Sequence, residues 1–513
     1  MPNSLLVAAG ILLSRVVGLV RQRVFAHYFG LSDAADVFSA AFRIPNFLQN
    51  LFGEGVLSAS FIPVYAQLLA RKEEKEAGRV AGAVLAILSL VTALLVAVGV
   101  LATPLLIDAI APGFEGAKRE LAIRVVRILF PGAGLLVLSA WCLGILNSHR
   151  RFFLSYAAPV IWNAAMIATL VGWGGRMGQF PLAVALAWGS VAGSALQLGI
   201  QLPAVLSLAR QLRVSLDTAS EQVRMVVRNF MPVFVGRGVV QISAYVDALL
   251  ASLLPTGAVA GLTSAQLLYT LPVSLFGMSV SAAELPVMSS ALGGEAEVAS
   301  YLRGRLNAGL GRIAFFIVPA SAGFLALGDT IAAALLETGR FTHADALYVW
   351  GILAGSTVGL LASTLGRLYA STYYALRDTR TPLKFAVLRV ALTTALGWAM
   401  AIPLPPALGL DPRWGVAGLT ASAGLAGWLE FALLRRALNR RIGQTGLSPA
   451  LVAKLWTAGA AAAAVGWAVK LAVGPRHAVF AAALVLVPYG LVYFALAAAF
   501  KVEEARALVR RFI

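Results

Sequence analysis

The sequence predicts an all-α polytopic membrane protein with about 14 transmembrane helices. Of its 513 residues, 59% are hydrophobic and only 12% are charged, and the mean hydropathy is +0.83. Apolar runs of about 20 residues, long enough to cross a hydrocarbon core of roughly 30 Å as a helix, recur from one end to the other. No stretch between them is long enough to form a soluble domain, which excludes a globular enzyme.

Short connectors separate the predicted spans. The spans lie at 4–28, 33–66, 80–110, 120–147, 152–174, 181–209, 226–254, 258–291, 307–336, 346–376, 383–403, 414–437, 452–474 and 478–500. We group them as a first six-helix lobe (1–209), a basic cytoplasmic connector (210–225), a second six-helix lobe (226–437), a C-terminal helix pair (450–501) and a cytoplasmic tail (502–513). The C-terminal pair is almost free of polar residues, which suits contact with lipid.

The second lobe begins with a weaker copy of the start of the first. SRVVGLV is echoed by GRGVVQI, and Pro45 and Pro63 are matched by Pro272 and Pro286. Repeats with interrupted helices at matching positions are typical of transporters whose site lies between the halves. The sequence therefore predicts two pseudo-symmetric lobes. The alternative is that Pro and Gly are simply common in membrane helices.

The net charge of +18 follows a membrane topology and not a nucleic-acid-binding surface. Lys and Arg concentrate in alternate connectors, such as HRR at 149–151 and the segment 501–511. By the positive-inside rule, this bias places both termini in the cytoplasm. The first apolar segment has internal arginines and no small-residue cleavage site, so we expect it to remain as a helix.

The residues that could bind a metal are few and scattered. Cys142 is the only cysteine, and the four histidines lie in different connectors or at helix ends. This pattern predicts no disulfide, no metal site and no cofactor.

Arginines interrupt the otherwise apolar first helix. Gly10, Ser14 and Gly18 fall on one face together with Arg21, and Arg15 lies at the flank of that face. Small residues at this spacing predict a close-packing seam between helices. Arg15 and Arg21 should therefore face protein or water and not lipid.

A polar stripe follows one face of the second predicted helix, provided that this helix is continuous. Its members are Asp36, Ala40, Arg43, Phe47, Asn50 and Glu54. An ionisable residue near the bilayer centre costs roughly 2.5–3.5 kcal/mol, so several on one face indicate a water-filled cavity. In the alternative interpretation the charges only neutralise one another and hold helices together. Asp36 would then pair with Arg21, and Glu54 with an arginine.

Positive charge exceeds negative charge among these intramembrane residues. Arg237 adds a further cation in the second half, where Asp247 is the nearby acid and the alternative partner in a structural pair. A cationic cavity favours an anionic ligand, and the forked guanidinium is suited to phosphate. The sequence therefore predicts a site for a diphosphate head group.

The residues do not suggest catalysis, and three other function classes remain as alternatives. The chain has no Ser/His/Asp set, no metal-binding carboxylate pair and no phosphate-binding loop. A cation-coupled drug exporter would need a carboxylate-rich site. A membrane-embedded transferase acting on a polyprenyl lipid would need catalytic carboxylates or a metal. A scaffold without transport activity would not need buried arginines.

Several longer motifs occur in order along nearly the whole chain. They are SRVVGLVR, DAADVFSAAFRIPNFLQNLFGEGVLSASFIPVY, AQLLYTLPVSLFG, RFTHADA and YYALRDTRTPLK. In these motifs the chain resembles the MurJ (MviN) lipid II flippases of the multidrug/oligosaccharidyl-lipid/polysaccharide exporter superfamily.

The resemblance implies a transporter of the bacterial inner membrane that acts in peptidoglycan and cell wall biogenesis and so in cell shape. Such a protein flips lipid II, or a related undecaprenyl-diphosphate lipid, to the outer leaflet by alternating access. Arg15 and Arg21 would engage the diphosphate, and Asp36 and Glu54 match the acidic positions of the family. The C-terminal pair would hold the polyprenyl tail. We expect a monomer whose only other partners are membrane lipids.

The chain departs from the family at three positions. Gln49 and Leu267 stand where the family usually has basic residues, and Gln22 stands where it usually has an acid. We favour a divergent flippase in which Arg237 and Arg43 compensate. The alternatives are an exporter of another polyprenyl-linked saccharide and a cation-coupled drug exporter of the same superfamily. The sequence leaves open the head-group details of the cargo and the energy source.

Overall fold

The computed structural model describes residues 3–216, 220–291, 293–474 and 477–506, without the side chains of 3–9, 11, 54 and 232–244. These ranges are helical almost throughout, which confirms the predicted all-α class. The helices form two compact units. They comprise Met1–Ala260 with Thr338–Phe341, and Gly261–Glu337 with Thr342–Ile513.

The first unit is built around one long buried helix. Its helices are α1 (Asn3–Phe29), α2 (Asp33–Phe52), α3 (Glu54–Ala70), α4 (Glu74–Leu101), α5 (Thr103–Ile110), α6 (Gly116–Ser148), α7 (Phe152–Trp173), α8 (Gln179–Leu208) and α9 (Glu221–Ser252). The helix α6 packs against α2, α3, α4 and α8, and it carries the fully buried Cys142. The helix α9 packs against α2 and α3, so the predicted seventh span belongs to this unit.

The second unit repeats this plan around another long helix. Its helices are α10 (Ala258–Pro272, from Gly261 onward), α11 (Ser279–Ser289), α12 (Glu295–Leu336), α13 (His343–Thr357), α14 (Leu360–Ala375), α15 (Arg380–Ala401), α16 (Leu404–Ala407), α17 (Gly415–Ile442), α18 (Pro449–Val473) and α19 (Ala478–Ala499). The helix α12 carries buried side chains from Leu302 to Leu336 and packs against α13, α14, α18 and α19. In both units, therefore, one buried helix organises the surrounding helices.

The chain is a multi-pass membrane protein, although the predicted number of spans is not confirmed. Among the described residues, ten helices are long and apolar enough to cross a membrane, and the bent pair α13 and α14 would make an eleventh. The other three predicted spans correspond to α1, to α2 with α3, and to α9. The span predicted at 33–66 is interrupted, and α1 and α9 contain side chains outside the described part.

Both copies of the proposed repeat have irregular backbone after the first proline. Between Pro45 and Pro63 the helix ends at Phe52 and restarts at Glu54. A side chain at Gly53 would place its Cβ 2.1 Å from the backbone oxygen of Gln49, so a residue without a side chain fits this break. In the second copy, a π-helical stretch (Val273–Met278) follows Pro272 directly. The polar stripe predicted on one continuous helix is therefore broken at Gly53.

The C-terminal helices α18 and α19 pack against each other and against α12. Polar side chains fix them to the backbone of α12. The indole of Trp467 donates to the oxygen of Ala326 at 2.8 Å, and the hydroxyl of Tyr493 donates to the oxygen of Phe315 at 2.6 Å. Lys470 also forms an ion pair with the buried Asp329.

Hydrogen bonds to Asp378 hold the connector between α14 and α15. The carboxylate accepts from the backbone N–H and the hydroxyl of Thr381 at 3.0 and 2.7 Å, and from Arg441 at 2.6 Å. These donors lower the pKa of Asp378 to about 2.

A buried carboxylate holds three segments of the first unit together. Asp36 of α2 is 1% exposed. One of its oxygens accepts from Lys118 of α6 at 2.9 Å and from the N–H of Gly257 at 2.8 Å, and the other accepts from the N–H of Ala260 at 2.9 Å. The last two groups lie at the start of α10, where the helix dipole favours a negative charge. Asp33 reaches the same Lys118 at 2.8 Å but is exposed.

Replacing Asp36 should destabilise the fold far more than replacing Asp33. Asp36→Asn leaves the Lys118 ammonium without its buried partner, so we expect a loss of about 2–4 kcal/mol in the free energy of unfolding. Asp33→Asn is the matched control, because this side chain contacts the same lysine but is 44% exposed. For Asp33→Asn, the loss in the free energy of unfolding should stay below about 1 kcal/mol. Thermal unfolding in detergent, followed by tryptophan fluorescence, measures both, and equal losses would contradict the assignment.

Candidate substrate-binding site

Arg21 lies in an aromatic environment inside the first unit. The carbon of its guanidinium is 5.4 Å from the centre of the Trp162 ring and 5.8 Å from the centre of the Phe42 ring. These two rings stack on each other with their centres 5.6 Å apart. The guanidinium Nη1 also lies 3.9 Å from the sulfur of Met166. Among the residues that the structure describes, Arg21 has no carboxylate partner.

The aromatic rings stabilise the charge of Arg21, but they leave N–H groups of its guanidinium available for hydrogen bonds. Aromatic faces attract a guanidinium through their ring quadrupole without occupying its N–H donors. Arg21 is only partly buried, so the remaining donors can reach a ligand or water. Such an arrangement is suited to binding an oxyanion.

The small-residue seam predicted on α1 exists only in part. A Cβ at Gly10 would lie 2.8 Å from the Cβ of Tyr156 on α7, so the two helices touch closely at this level. Among the described residues outside the neighbouring turns of α1, none has an atom within 4 Å of a Cβ added at Gly18, so none of them packs closely against α1 at this level. Arg15, on the same helix, is exposed.

The polar residues of α2 occupy different environments. Arg43 is partly buried, and the carboxylate of Asp247 on α9 lies close enough for its charge to act on it. The Tyr245 hydroxyl also donates to the backbone oxygen of Arg43 at 2.9 Å. Asn50 is exposed, one helical turn before the break at Gly53.

One interpretation of the sequence predicted a pair between Asp36 and Arg21, and the structure does not contain this pair. The carboxylate of Asp36 is occupied by Lys118 and by two N–H groups at the start of α10. The start of α2, where the charge of Asp36 is buried and paired, is therefore distinct from the part of α2 that carries Arg43 and Asn50.

The structure describes the remaining predicted site residues only partly. Glu54 is the first residue of α3, and Arg237 lies within α9, but both side chains fall outside the described part of the chain. Leu267 and Gln49, the two departures from the family pattern, are partly buried on α10 and α2.

Sequence reasoning missed the groups that surround the predicted charges. No pattern in the sequence singled out Trp162, Phe42 or Lys118. In the second unit the buried Glu284 of α11 was also missed; it accepts from Arg305 at 2.6 Å and from Arg312 at 3.3 Å. The available signals were the position of Lys118 next to an apolar run and that of Glu284 inside one. Neither signal identifies the partner of the residue, because the partner is known only from the fold.

The described residues contain no cluster that would bind a metal. No group of three His, Cys, Asp or Glu side chains in the described ranges is arranged to hold an ion. The site consists of cationic, amide and aromatic side chains, which can bind and orient an anion.

Comparison with known proteins identifies the family of this chain. The profile of the family described as lipid II flippase MurJ matches residues 25–498. The lipid II flippase MurJ of Burkholderia cenocepacia (strain J2315) is 31% identical over 448 residues, which cover 86% of this chain and 84% of that protein. A protein of Rhizobium meliloti (strain 1021), named as a probable lipid II flippase MurJ, is 31% identical over 428 residues, 82% and 77% of the two chains.

Two solved structures share the fold. The structure of lipid II flippase MurJ in an inward closed conformation matches with a TM-score of 0.76 and 23% identity, covering 98% of this chain and 100% of that one. An inward-facing MATE family multidrug transporter of the MOP superfamily matches with a TM-score of 0.65 and 18% identity, covering 83% and 95%. The chain therefore belongs to the MurJ family of lipid II flippases, which are membrane transporters and not enzymes.

Proposed function

We propose that the chain moves lipid II, a polyprenyl-diphosphate-linked peptidoglycan precursor, from the inner to the outer leaflet of the bacterial cytoplasmic membrane. The names of its relatives support the cargo. The fold that it shares with a MATE transporter supports alternating access as the mechanism. The bias of Lys and Arg toward alternate connectors supports an orientation with both termini in the cytoplasm.

The environment of Arg21 is the observation that carries this proposal. Other intramembrane charges in the described ranges, such as Asp36 and Glu284, have oppositely charged partners. Arg21 instead contacts two aromatic rings and a thioether. A charge in this position is expensive in an apolar layer unless a ligand or water completes its surroundings. The diphosphate supplies two negatively charged groups that match the guanidinium fork.

The remaining predicted residues would contribute to the same head-group site. Arg15 and Arg43 would add positive charge, and Asn50 offers an amide for hydrogen bonds to uncharged parts of the head group. Arg237 would provide the cation that the family usually has at the position of Leu267, and Glu54 would limit the net charge. In this scheme Asp36 stabilises the fold and does not touch the cargo.

The apolar helices α18 and α19 would hold the polyprenyl tail. Their outward side chains are large and exposed, such as Leu471 at 73% and Leu491 at 67%. An exposed apolar surface of this kind suits a hydrocarbon chain in the bilayer. The protein would act as a monomer, because each chain supplies both the cationic residues and this surface.

Depletion of the protein in its own cells tests the proposed function. If the chain flips lipid II, depletion should cause lipid II to accumulate in the cytoplasmic leaflet and should stop cell wall growth. Unchanged leaflet distribution in a strain without another flippase would refute the proposal. Accumulation of a different polyprenyl-linked saccharide would identify another cargo.

Removing the Arg21 side chain should abolish transport without unfolding the protein. Arg21→Ala deletes a charge-assisted contact worth about 1.5–3 kcal/mol, so lipid II should bind about ten- to a hundredfold more weakly. Arg21→Lys should restore only part of the affinity, since an ammonium cannot form the two-pronged contact. Arg23→Ala is the matched control, because it removes the same charge from the same helix. Normal growth and binding with Arg21→Ala would show that Arg21 does not contact the cargo.

The aromatic ring beneath Arg21 should also affect binding. Trp162→Leu removes a cation–π contact worth about 0.5–2 kcal/mol, which predicts affinity for lipid II lower by about two- to thirtyfold. Trp398→Leu is the control, because this tryptophan is 56% exposed on α15. Dissociation constants of the purified variants measure the effect. Equal affinities for both variants and the unaltered protein would mean that Trp162 only fills space.

A further inference from the structure

Three ionisable side chains lie close together inside the second unit, on helices that are long and apolar enough to cross a membrane, α14 together with α13. Arg389 of α15 is 3.4 Å from the carboxylate of Glu430 on α17, whose side chain is 17% exposed. Arg367 of α14 is close enough to Glu430 for its charge to act on that carboxylate as well. These three residues, which we call the arginine cluster, have a net positive charge.

Tyr269 connects the arginine cluster to α10. The hydroxyl groups of Tyr269 and of Ser363 on α14 are 2.8 Å apart, and Arg367 follows Ser363 by about one helical turn. The charges of Arg367 and Arg389 both act on the hydroxyl of Tyr269. Four helices of the second unit, α10, α14, α15 and α17, therefore bring polar groups to one place.

The helix α14 is buried except along one stripe. Between Leu360 and Tyr374, the residues that are not buried are Ser363, Gly366, Arg367, Ala370 and Tyr374. At 100° per residue, these positions fall within about 100° of one another. Among the described residues outside the neighbouring turns of α14, none has an atom within 4 Å of a Cβ added at Gly366. Arg367 therefore lies on a face of α14 that none of these residues covers at this level.

Arg389 lies on the packed face of α15. The buried residues Pro382, Thr393 and Gly397 fall within about 80° of Arg389 around the helix. The ion pair with Glu430 holds its guanidinium on the side of α15 that meets α17. The positive charge of Arg389 is thus fixed inside the unit and does not face lipid.

Arg367 keeps its hydrogen-bond donors. It is exposed, and it forms no hydrogen bond or ion pair with any residue in the described ranges. A guanidinium within a membrane-spanning helix is costly unless water or an anion completes its surroundings. Its forked N–H groups match two oxygens of a phosphate. The accessible face, the net charge and the available donors together indicate a site for a phosphate-bearing ligand.

We propose that Arg367, with Arg389 held beside it by Glu430, forms a second binding site for the diphosphate group of the cargo, contained within the second unit. The identity of the cargo rests on the proposed function. Arg367 would contact the phosphate oxygens, and Arg389 would add positive charge nearby. Ser363 can donate to Tyr269, which leaves the phenolic hydrogen of Tyr269 for the same oxyanion.

Binding of undecaprenyl diphosphate to the full-length protein tests the proposal, because this lipid carries the diphosphate without sugar or peptide. Native mass spectrometry of the detergent-solubilised protein measures the dissociation constants. The background is Arg21→Ala, in which the site of the first unit is weakened. In this background Arg367→Gln should weaken binding about tenfold, and Arg367→Lys should restore part of the loss. An unchanged dissociation constant in Arg367→Gln would overturn the proposal.

Two further variants separate binding from helix packing. Gly366→Leu adds a side chain beside Arg367 without changing charge, so it should weaken binding at least about threefold. Arg436→Gln is the control, because it removes another exposed arginine of the same unit, on α17, and should leave the dissociation constant unchanged. An equal effect of this control would mean nonspecific attraction. A lower unfolding temperature in Arg367→Gln, combined with normal binding in Gly366→Leu, would mean that Arg367 only holds helices together. Either result would overturn the proposal.

Competition with phosphatidylglycerol tests whether the site recognises the cargo. This phospholipid carries a single phosphate diester, so an equal concentration should not displace undecaprenyl diphosphate. Equal competition would indicate a general phospholipid site and would overturn the assignment to the cargo.

The outcomes also separate this site from the proposed function. If the protein binds undecaprenyl diphosphate through Arg367 but its depletion leaves the distribution of lipid II unchanged, the proposed function fails and the site stands. If depletion causes lipid II to accumulate but Arg367→Gln binds undecaprenyl diphosphate normally, the proposed function stands and the site fails.

Discussion

A charge inside a hydrocarbon layer is tolerated only where other charges, dipoles or water surround it, and both units are organised around this constraint. Asp36 is sealed by Lys118 and by the start of α10. In the second unit, Glu284 holds two arginines, and Asp329 pairs with Lys470 of α18. The pairs of Asp36 and Asp329 connect helices that are distant in sequence, and that of Glu284 connects the consecutive helices α11 and α12. The same interactions that neutralise the charges therefore also fix the packing.

The fold class and most helix positions could be predicted from the sequence, because hydrocarbon thickness dictates the length of an apolar run. Lobe assignment was harder. Nothing in the composition of α9 indicates whether it packs with the helices before it or after it, and it packs against α2 and α3. The break at Gly53 also escaped prediction, since glycine is common in membrane helices and only the nearby oxygen of Gln49 explains it here.

The sequence indicated those candidate site residues whose own position in a helix is unusual, and it did not indicate their partners. Arg21 was identifiable because an arginine within an apolar helix is costly in itself. The partner of Asp36 was not identifiable, because Lys118 lies 82 residues away and reaches it only through the packing of α6 on α2. Likewise, the stacking of Trp162 and Phe42 beneath Arg21 depends on how α7 approaches α2. Helical periodicity gives the face of a residue but not the helix that meets it.

The burial of Cys142 makes the chain convenient for chemical labelling. It is the only cysteine in the sequence, and its side chain is fully enclosed within α6. Thiol reagents need an accessible thiolate, so the native protein should react slowly. Cysteines introduced one at a time, in a connector or along a cavity wall, would therefore dominate the labelling without a cysteine-free background. Water exposure of each helix face during the transport cycle becomes measurable on an otherwise unaltered protein.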